Sequence, residues 1–365
     1  MKILHIVHCI DTEGPLKETL KSTFQRVNDT FGLKLKPSLS NLKKLQMKKM
    51  KLGNLDKNIS TFISRSNLNY NTNLKMLKKM LGNILSEKFR KTITDDFGNG
   101  WVYSWHCVDH IGFKSNPRRK LYGYGKIFRF YKKILNSKNS KNDEINWHFH
   151  PKSIRSNPIA NATSYNNSIK EITNIISKRI IEDNWFPVVN RPGFHAIRPD
   201  SHLFLEQWIP YDYANQYYET KNDQKDLDHG RFGDWTRASK TWIGYNPSIH
   251  DYQIKGGCRR KIFRCLNVGT RHKILKKKHV NQAFNDANKY NKAILCIVNH
   301  DYRDMTDDVL NTMQLIKEVK KKYKNVKVKY SGAEEAATSL EKNKNKIFKF
   351  KLQIKKNRLI IEKKR

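Results

Sequence analysis

The sequence predicts an α/β protein built on a parallel, barrel-like sheet, and two observations carry that prediction. Short apolar runs, such as residues 3–10 and 293–298, alternate with segments whose apolar residues recur at helical spacing, as Ile169, Ile172, Ile176 and Ile180 do. Strands alternating with helices read as a parallel sheet. The residue types able to do chemistry then stand where predicted strands end and loops begin, which is where α/β barrels place their sites.

In chain order, residues 3–10 read as a first buried strand. Residues 15–90 are lysine-rich and helical in places, with Leu74, Leu77, Leu81 and Ile84 on one helical face and Leu42 and Leu45 a weaker pair. This segment is predicted to be a basic insertion packed on the outside. Its Lys43, Lys44, Lys48, Lys49 and Lys51 read as a solvated face. Residues 101–108 predict a second strand, residues 126–135 a helix, and a third strand runs into His148. Residues 186–189 suggest a strand leading to Arg191. A strand at 293–298, a helix carrying Val309, Met313, Ile316 and Val319, and a strand at 326–330 follow. Trp208, Tyr211, Tyr213, Tyr217, Tyr218, Trp235, Trp242 and Tyr245 crowd one segment; such rings stack on sugars and also fill cores, and both readings stay open. Beyond about residue 345, alternation of apolar and polar residues predicts a β-hairpin. The expected organisation is a barrel over 1–340, with the insertion at 15–90, and a small β appendage over 341–365.

The formal charge is +39, from 72 basic and 33 acidic residues. Lysine, asparagine and isoleucine recur together along the whole chain, which fits a compositional drift better than one designed patch. An acidic glycan or a membrane surface is the partner class such a charge admits; no specific nucleic acid is expected. Five cysteines form no Cys-x-x-Cys pair, which favours a reducing compartment. No export leader is drawn at the N-terminus and no apolar run reaches membrane-spanning length. The expected location is cytoplasmic, with peripheral contact at the inner membrane left open.

Two short stretches hold the strongest chemical signal. Asp11-Thr12-Glu13 follows the first apolar run, and His148-Phe149-His150 follows Ile145-Asn146-Trp147. Residues two apart in an extended segment point to one face, so each pair can aim both side chains into one pocket. Two imidazoles and a carboxylate make a catalytic zinc set with one coordination position left over, and the second carboxylate is then free to act as a base. Plainer readings stand beside this one. Asp-x-Glu also fits a helix cap, His-Phe-His a satisfied strand face, Arg191 an ordinary turn before Pro192-Gly193, and His300 with Asp301, Arg303 and Asp304 a surface ion cluster. A rival pair, His106 and His110, stands at i, i+4. It ranks lower, because in a strand that spacing spans roughly 13 Å. Asp109 and His110 can still line a site from a neighbouring strand end. His5 and His8 read as packing residues.

Four segments in order resemble the motifs of the polysaccharide deacetylases, the NodB-homology group or carbohydrate esterase family four. Ile10-Asp11-Thr12-Glu13-Gly14 resembles the first, and Trp147-His148-Phe149-His150-Pro151 the second. Asn190-Arg191-Pro192-Gly193-Phe194 resembles the third, and Val298-Asn299-His300-Asp301 the last. The likeness covers most of residues 1–340. It is strongest to a bacterial subgroup found with surface-polysaccharide (O-antigen) synthesis, which opens with a similar His-Cys-Ile-Asp-Thr-Glu-Gly-Pro run. The resemblance implies a distorted (β/α)7-type barrel. It implies Asp11 as general base, Glu13, His148 and His150 as ligands of a divalent metal, most often Zn2+, Arg191 as the residue holding the base, and His300 as general acid. Asp234-Trp235 loosely resembles the pair that supports the arginine in that family. A neighbouring cation lowers a carboxylate pKa by roughly 1–3 units, so Arg191 is expected to keep Asp11 ionised. The implied activity is removal of an N-acetyl or related acyl group from a sugar, on an acetylated sugar or glycan precursor. Hydrolysis of a cyclic amide on the same barrel, and non-catalytic binding of a glycan or polyanion, are the alternatives.

Overall fold

The first apolar run becomes β1 (Lys2–Thr12), and the rest of the sheet is arranged around it. The computed structural model describes residues 1–65, 67–110, 124–137, 140–151, 165–217, 233–269, 275–341, 349–355 and 358–364. The other strands of the main sheet are β2 (Ser104–His110), β3 (Glu144–His150), β4 (Val189–Pro192), β5 (Tyr211–Asn215), β6 (Lys261–Arg264), β7 (Leu266–Asn267), β8 (Lys292–His300) and β9 (Val326–Tyr330). They run in the order β6-β5-β4-β3-β2-β1-β8-β7, with β9 beside the first half of β1. Every pairing is parallel. Only Cys265 separates β6, which pairs with β5, from β7, which pairs with β8. The two ends of the sheet therefore meet, and the strands form a nearly closed parallel barrel of eight segments.

Alternation along the strands explains the layering. Val7 and Cys9 of β1 join Val189, Tyr211, Tyr213, Phe263, Cys265, Ile294, Cys296 and Val298 in one buried cluster, the inside of the barrel. Leu4, Ile6 and Ile10, on the opposite face, pack outward against helices. Those helices are α4 (Leu74–Ile84), α6 (Tyr124–Ser137), α9 (Lys277–Tyr290) and α10 (Thr306–Lys320). On another flank, Trp147 and Phe149 pack against α7 (Ile169–Ile181) and α8 (Pro199–Trp208). A short helix, α11 (Ala333–Ser339), presents Ala333, Ala336 and Ala337 to the inside cluster and closes the end where the strands begin. Its small side chains permit that close approach, and Tyr213 Oη donates to the Ala333 carbonyl at 2.7 Å.

The basic segment forms α1 (Leu20–Phe31), α2 (Leu39–Gln46), α3 (Asp56–Phe62), α4 and α5 (Glu87–Arg90). The first three share a small core of their own, made by Phe24, Val27, Leu45, Ile59, Phe62 and Ile63. Lys43, Lys44, Lys48, Lys49 and Lys51 are exposed. The terminal strands β10 (Lys349–Lys355) and β11 (Arg358–Lys364) pair antiparallel as a hairpin. Among the described residues, no helix is long and apolar enough to cross a membrane.

Several boundaries differ from expectation. The second strand starts at Ser104, because the amides of Trp101 and Tyr103 are taken by Arg90 O and by the Asp143 carboxylate. The fourth starts at Val189 and includes Arg191, so that residue belongs to a strand and not to a turn. Of the crowded aromatics, Tyr211, Tyr213, Tyr217, Trp235, Trp242 and Tyr245 are buried as packing, while Trp208 is half exposed. Tyr218 lies outside the described residues.

His5 is indeed a packing residue, and its protonation is set by that role. Its ring lies 2.9 Å from the hydroxyls of both Ser331 and Ser339. Burial, and then the charges of Lys329 and Lys292, lower its pKa to about 3. The unfolded chain binds a proton here below pH 6.5 and the folded chain does not. The stability this group supplies is therefore present above 6.5 and is lost as the pH falls toward 3. The variant His5→Gln should gain on the wild type by about 1.4 kcal/mol per pH unit below 6.5, read by urea unfolding at pH 7.5 and 5.5. A gap that does not change with pH would show a charged imidazole in the fold.

Candidate metal centre

Four strands deliver the site, each at its C-terminal end. Asp11, one residue before the end of β1, is in register with His300 of β8, and His148 of β3 is in register with Arg191 of β4. Strand neighbours in register point the same way, so these side chains meet over the inside cluster. Glu13 follows β1, and His150 is two residues beyond His148 on the same face.

The ligand atoms of Glu13, His148 and His150 lie within 4.8 Å of one another, and all three residues are buried. The Nε2 atoms of His148 and His150 are 2.9 Å apart, and Glu13 Oε1 stands 4.0 and 3.9 Å from them. His148 Nδ1 donates to the Arg191 carbonyl at 2.6 Å. A carbonyl only accepts, so Nδ1 carries the proton and Nε2 presents a lone pair to the centre. Two imidazoles facing each other at that distance, with a carboxylate beside them, suit a shared divalent cation.

Asp11 lies against this group with 1% of its surface exposed. Arg191 Nε is 2.7 Å from Oδ1, His148 Nδ1 is 3.6 Å from the same oxygen, and His300 Nε2 is 3.5 Å from Oδ2. The structure changes the expected electrostatics here. Burial outweighs Arg191 and pushes the Asp11 carboxyl up to about 7. A cation held by Glu13, His148 and His150 would add to Arg191 and pull it back down. His300, with 16% of its side chain exposed, is the most open member, and its Nε2 is also 3.7 Å from Glu13 Oε1.

Three supporting groups were not picked out in the sequence. Asp301, read there as part of a surface cluster, is fully buried. Its carboxylate accepts the backbone amides of Glu13 (2.8 Å) and Gly14 (2.8 and 3.1 Å) and the hydroxyl of Tyr131 (2.8 Å). Asn71 of the insertion donates to the Asp301 carbonyl at 2.8 Å, so the insertion clasps the loop after β8. His195 places Nδ1 and Nε2 each 3.0 Å from an Arg191 terminal nitrogen. Burial, and then the Arg191 charge, hold the His195 pKa well below its ordinary value, so the ring is neutral. Phe194 and His195 both have positive φ, 55° and 51°, the tight turn that brings the ring back to Arg191.

The remaining candidates do not join the ligand group. Asp109 points outward by strand alternation; its carboxylate takes Arg179 of α7 at 2.6 Å and the Trp147 indole at 3.0 Å. It does not line the site. Asp234 turns to Thr236, accepting its amide and hydroxyl, and does not reach Arg191. Trp235 does act on that corner, since its indole donates to the His195 carbonyl at 2.8 Å. His106 sits in β2 with Nδ1 3.2 Å from the Trp147 carbonyl, and the His110 side chain lies outside the described residues.

Gly193 shows why the turn after Arg191 has no side chain. A Cβ there would meet the His150 ring at 2.8 Å. The variant Gly193→Ala should push His150 off its position and weaken divalent-metal binding by on the order of 10–100-fold, read by competition with a chromophoric chelator. Unchanged affinity would mean that His150 is not a ligand.

Compared with models of known families, the chain matches none, and no curated protein matches it.

Proposed function

We infer that this chain is a metal-dependent hydrolase that removes an N-acetyl or related acyl group from a sugar used in surface-polysaccharide synthesis. One observation carries the reading. Asp11, Glu13, His148, His150, Arg191 and His300 converge on one buried centre, and they are the positions that resemble the polysaccharide deacetylase motifs. The barrel supports it too. If β6, Cys265 and β7 are read as one interrupted strand, the closed path has seven positions, with β9 outside it. Five free thiols suit a reducing, cytoplasmic location, where the substrate would be an intracellular glycan precursor.

Glu13, His148 and His150 would hold the ion, best suited as Zn2+ by its two nitrogens and one oxygen. When bound, it supplies Lewis acidity toward an acyl oxygen and an activated water at neutral pH. Asp11 accepts the proton released as water attacks the acyl carbon. The C–N bond then breaks, and the amine leaves only if a proton reaches its nitrogen. His300, on the open side, is placed to deliver it. Arg191 holds Asp11 and favours its ionised form, and the Arg191 carbonyl fixes the His148 tautomer.

The test is hydrolysis of N-acetylated sugars by the purified chain, with and without a chelator, beside metal analysis. Chelation should abolish acetate release, and the double variant His148→Ala/His150→Ala should carry no stoichiometric metal. Full occupancy in that variant, or turnover indifferent to chelation, overturns the reading.

A further inference from the structure

Below the candidate centre, inside the barrel, lies a second group of ligating atoms. Cys9 of β1, Cys265 between β6 and β7, and Cys296 of β8 come from neighbouring strands and point inward together. The Sγ atoms of Cys265 and Cys296 are 3.2 Å apart, and those of Cys9 and Cys296 are 3.5 Å apart. All three sulfurs lie within 4.8 Å of one another. All three residues have no exposed surface. The walls around them include Val7, Val189, Phe263, Ile294 and Val298. Among the described residues, no histidine or carboxylate joins the three sulfurs as a fourth ligand.

We propose that Cys9, Cys265 and Cys296 form a thiolate site for a soft monovalent cation, Cu(I), separate from the histidine-carboxylate centre above it. Sulfur donors select soft ions, and hard oxygen-seeking ions have no partner here. Zinc normally completes a tetrahedron, and among the described residues no histidine or carboxylate stands there to complete it. Three-coordinate Cu(I) needs no fourth ligand. Charge balance agrees. Copper(I) on two thiolates and one thiol releases two protons to solvent and carries a net charge of −1. Arg191 stands close enough that its charge favours the ionised form of both Cys9 and Cys265. Arg191, which also faces Asp11 at 2.7 Å, therefore offsets part of that charge in a medium where an unpaired one is costly. The hydrogen bonds from Cys296 and Cys9, with Arg191, draw the Cys265 thiol well below its ordinary pKa against the effect of burial. Cys265 is thus the first sulfur to ionise.

The experiment titrates the full chain anaerobically with Cu(I) against bicinchoninate, with native mass spectrometry for stoichiometry. The wild type and Cys258→Ser, whose thiol lies on the barrel's exterior loop, should each hold one Cu(I). Cys265→Ser and Cys296→Ser should lose affinity by more than about 100-fold, since a hydroxyl is a hard ligand. Glu13→Ala should keep its copper, which separates this site from the proposed hydrolytic one whether or not that proposal holds. X-ray absorption on the unmodified copper-loaded chain decides the matter even if a cysteine variant fails to fold: three sulfur neighbours support the site. Nitrogen neighbours, or no copper retained against the chelator, overturn it and leave the thiols as packing groups.

Discussion

Asp11→Asn should keep one equivalent of divalent metal and lose on the order of 10²–10⁴-fold in kcat, the contribution typical of a positioned proton acceptor. The two parts of that outcome have different causes. Asp11 is not one of the three converging ligands; it stands beside them, gripped by Arg191 Nε at 2.7 Å. An amide is the same size and keeps an oxygen for that grip, so the ligand geometry persists. What it loses is the ability to take a proton. The pH profile adds a second check. With burial pushing the carboxyl up to about 7, and a bound cation pulling it down, the wild-type acidic limb should fall at or below about 7 and shift upward in Arg191→Lys. That substitution exchanges a fixed fork for a mobile point charge. A variant at Asp11 that stays within tenfold of the wild type would exclude it as the base and leave His300 as the group to examine.

The parts of this site that were legible in the sequence share one property: their geometry is local. His148 and His150 are two residues apart in a strand, and Asp11 and Glu13 stand near and just past the end of one, so their common face follows from the pleat. Arg191 and His300 were legible only through the motif resemblance, since nothing local says that β4 and β8 flank the same opening. Other features depend on distance along the chain or on depth. Asp301 looks like one of several charges after β8 until the chain turns at Gly14, φ 76°, and offers it the amides of Glu13 and Gly14. The three cysteines are spread from residue 9 to residue 296, and no spacing links them. Asp109 was misjudged because a strand end was taken to aim every side chain at the site, whereas alternation sends this one to Arg179. The strands β5, β6 and β7 have 5, 4 and 2 residues, too short for any period to show. The net effect on Asp11 was misjudged for a related reason: Arg191 is visible in the sequence, but the depth of burial that opposes it is not.

Asp301→Ala should be the most damaging change outside the ligands, for reasons of both stability and metal affinity. The carboxylate accepts from Glu13 N, Gly14 N and Tyr131 Oη, all inside the protein. Removing it strands three donors at about 1–3 kcal/mol each, so a loss of about 3 kcal/mol or more is expected. The loop after β1 also loses what aims Glu13, and a ligand released from its support typically costs 10–100-fold in metal affinity. Asp301→Asn separates these effects. Its carbonyl oxygen can keep Glu13 N, and Gly14 N at the longer of its two distances, but the NH2 that replaces Asp301 Oδ2 then faces the Gly14 N–H, which bonds that oxygen at 2.8 Å. Its amide N–H can donate to the Tyr131 oxygen, reversing that bond. The asparagine variant should therefore recover part of the stability and metal affinity lost in the alanine variant, and fall between it and the wild type. Tyr131→Phe removes only one of the three bonds and should leave metal affinity near the wild-type value. Urea unfolding and chelator competition on the three proteins read the outcome. If the alanine variant binds metal as tightly as the wild type, Glu13 is aimed by something other than Asp301, and the ligand role of Glu13 comes into question with it.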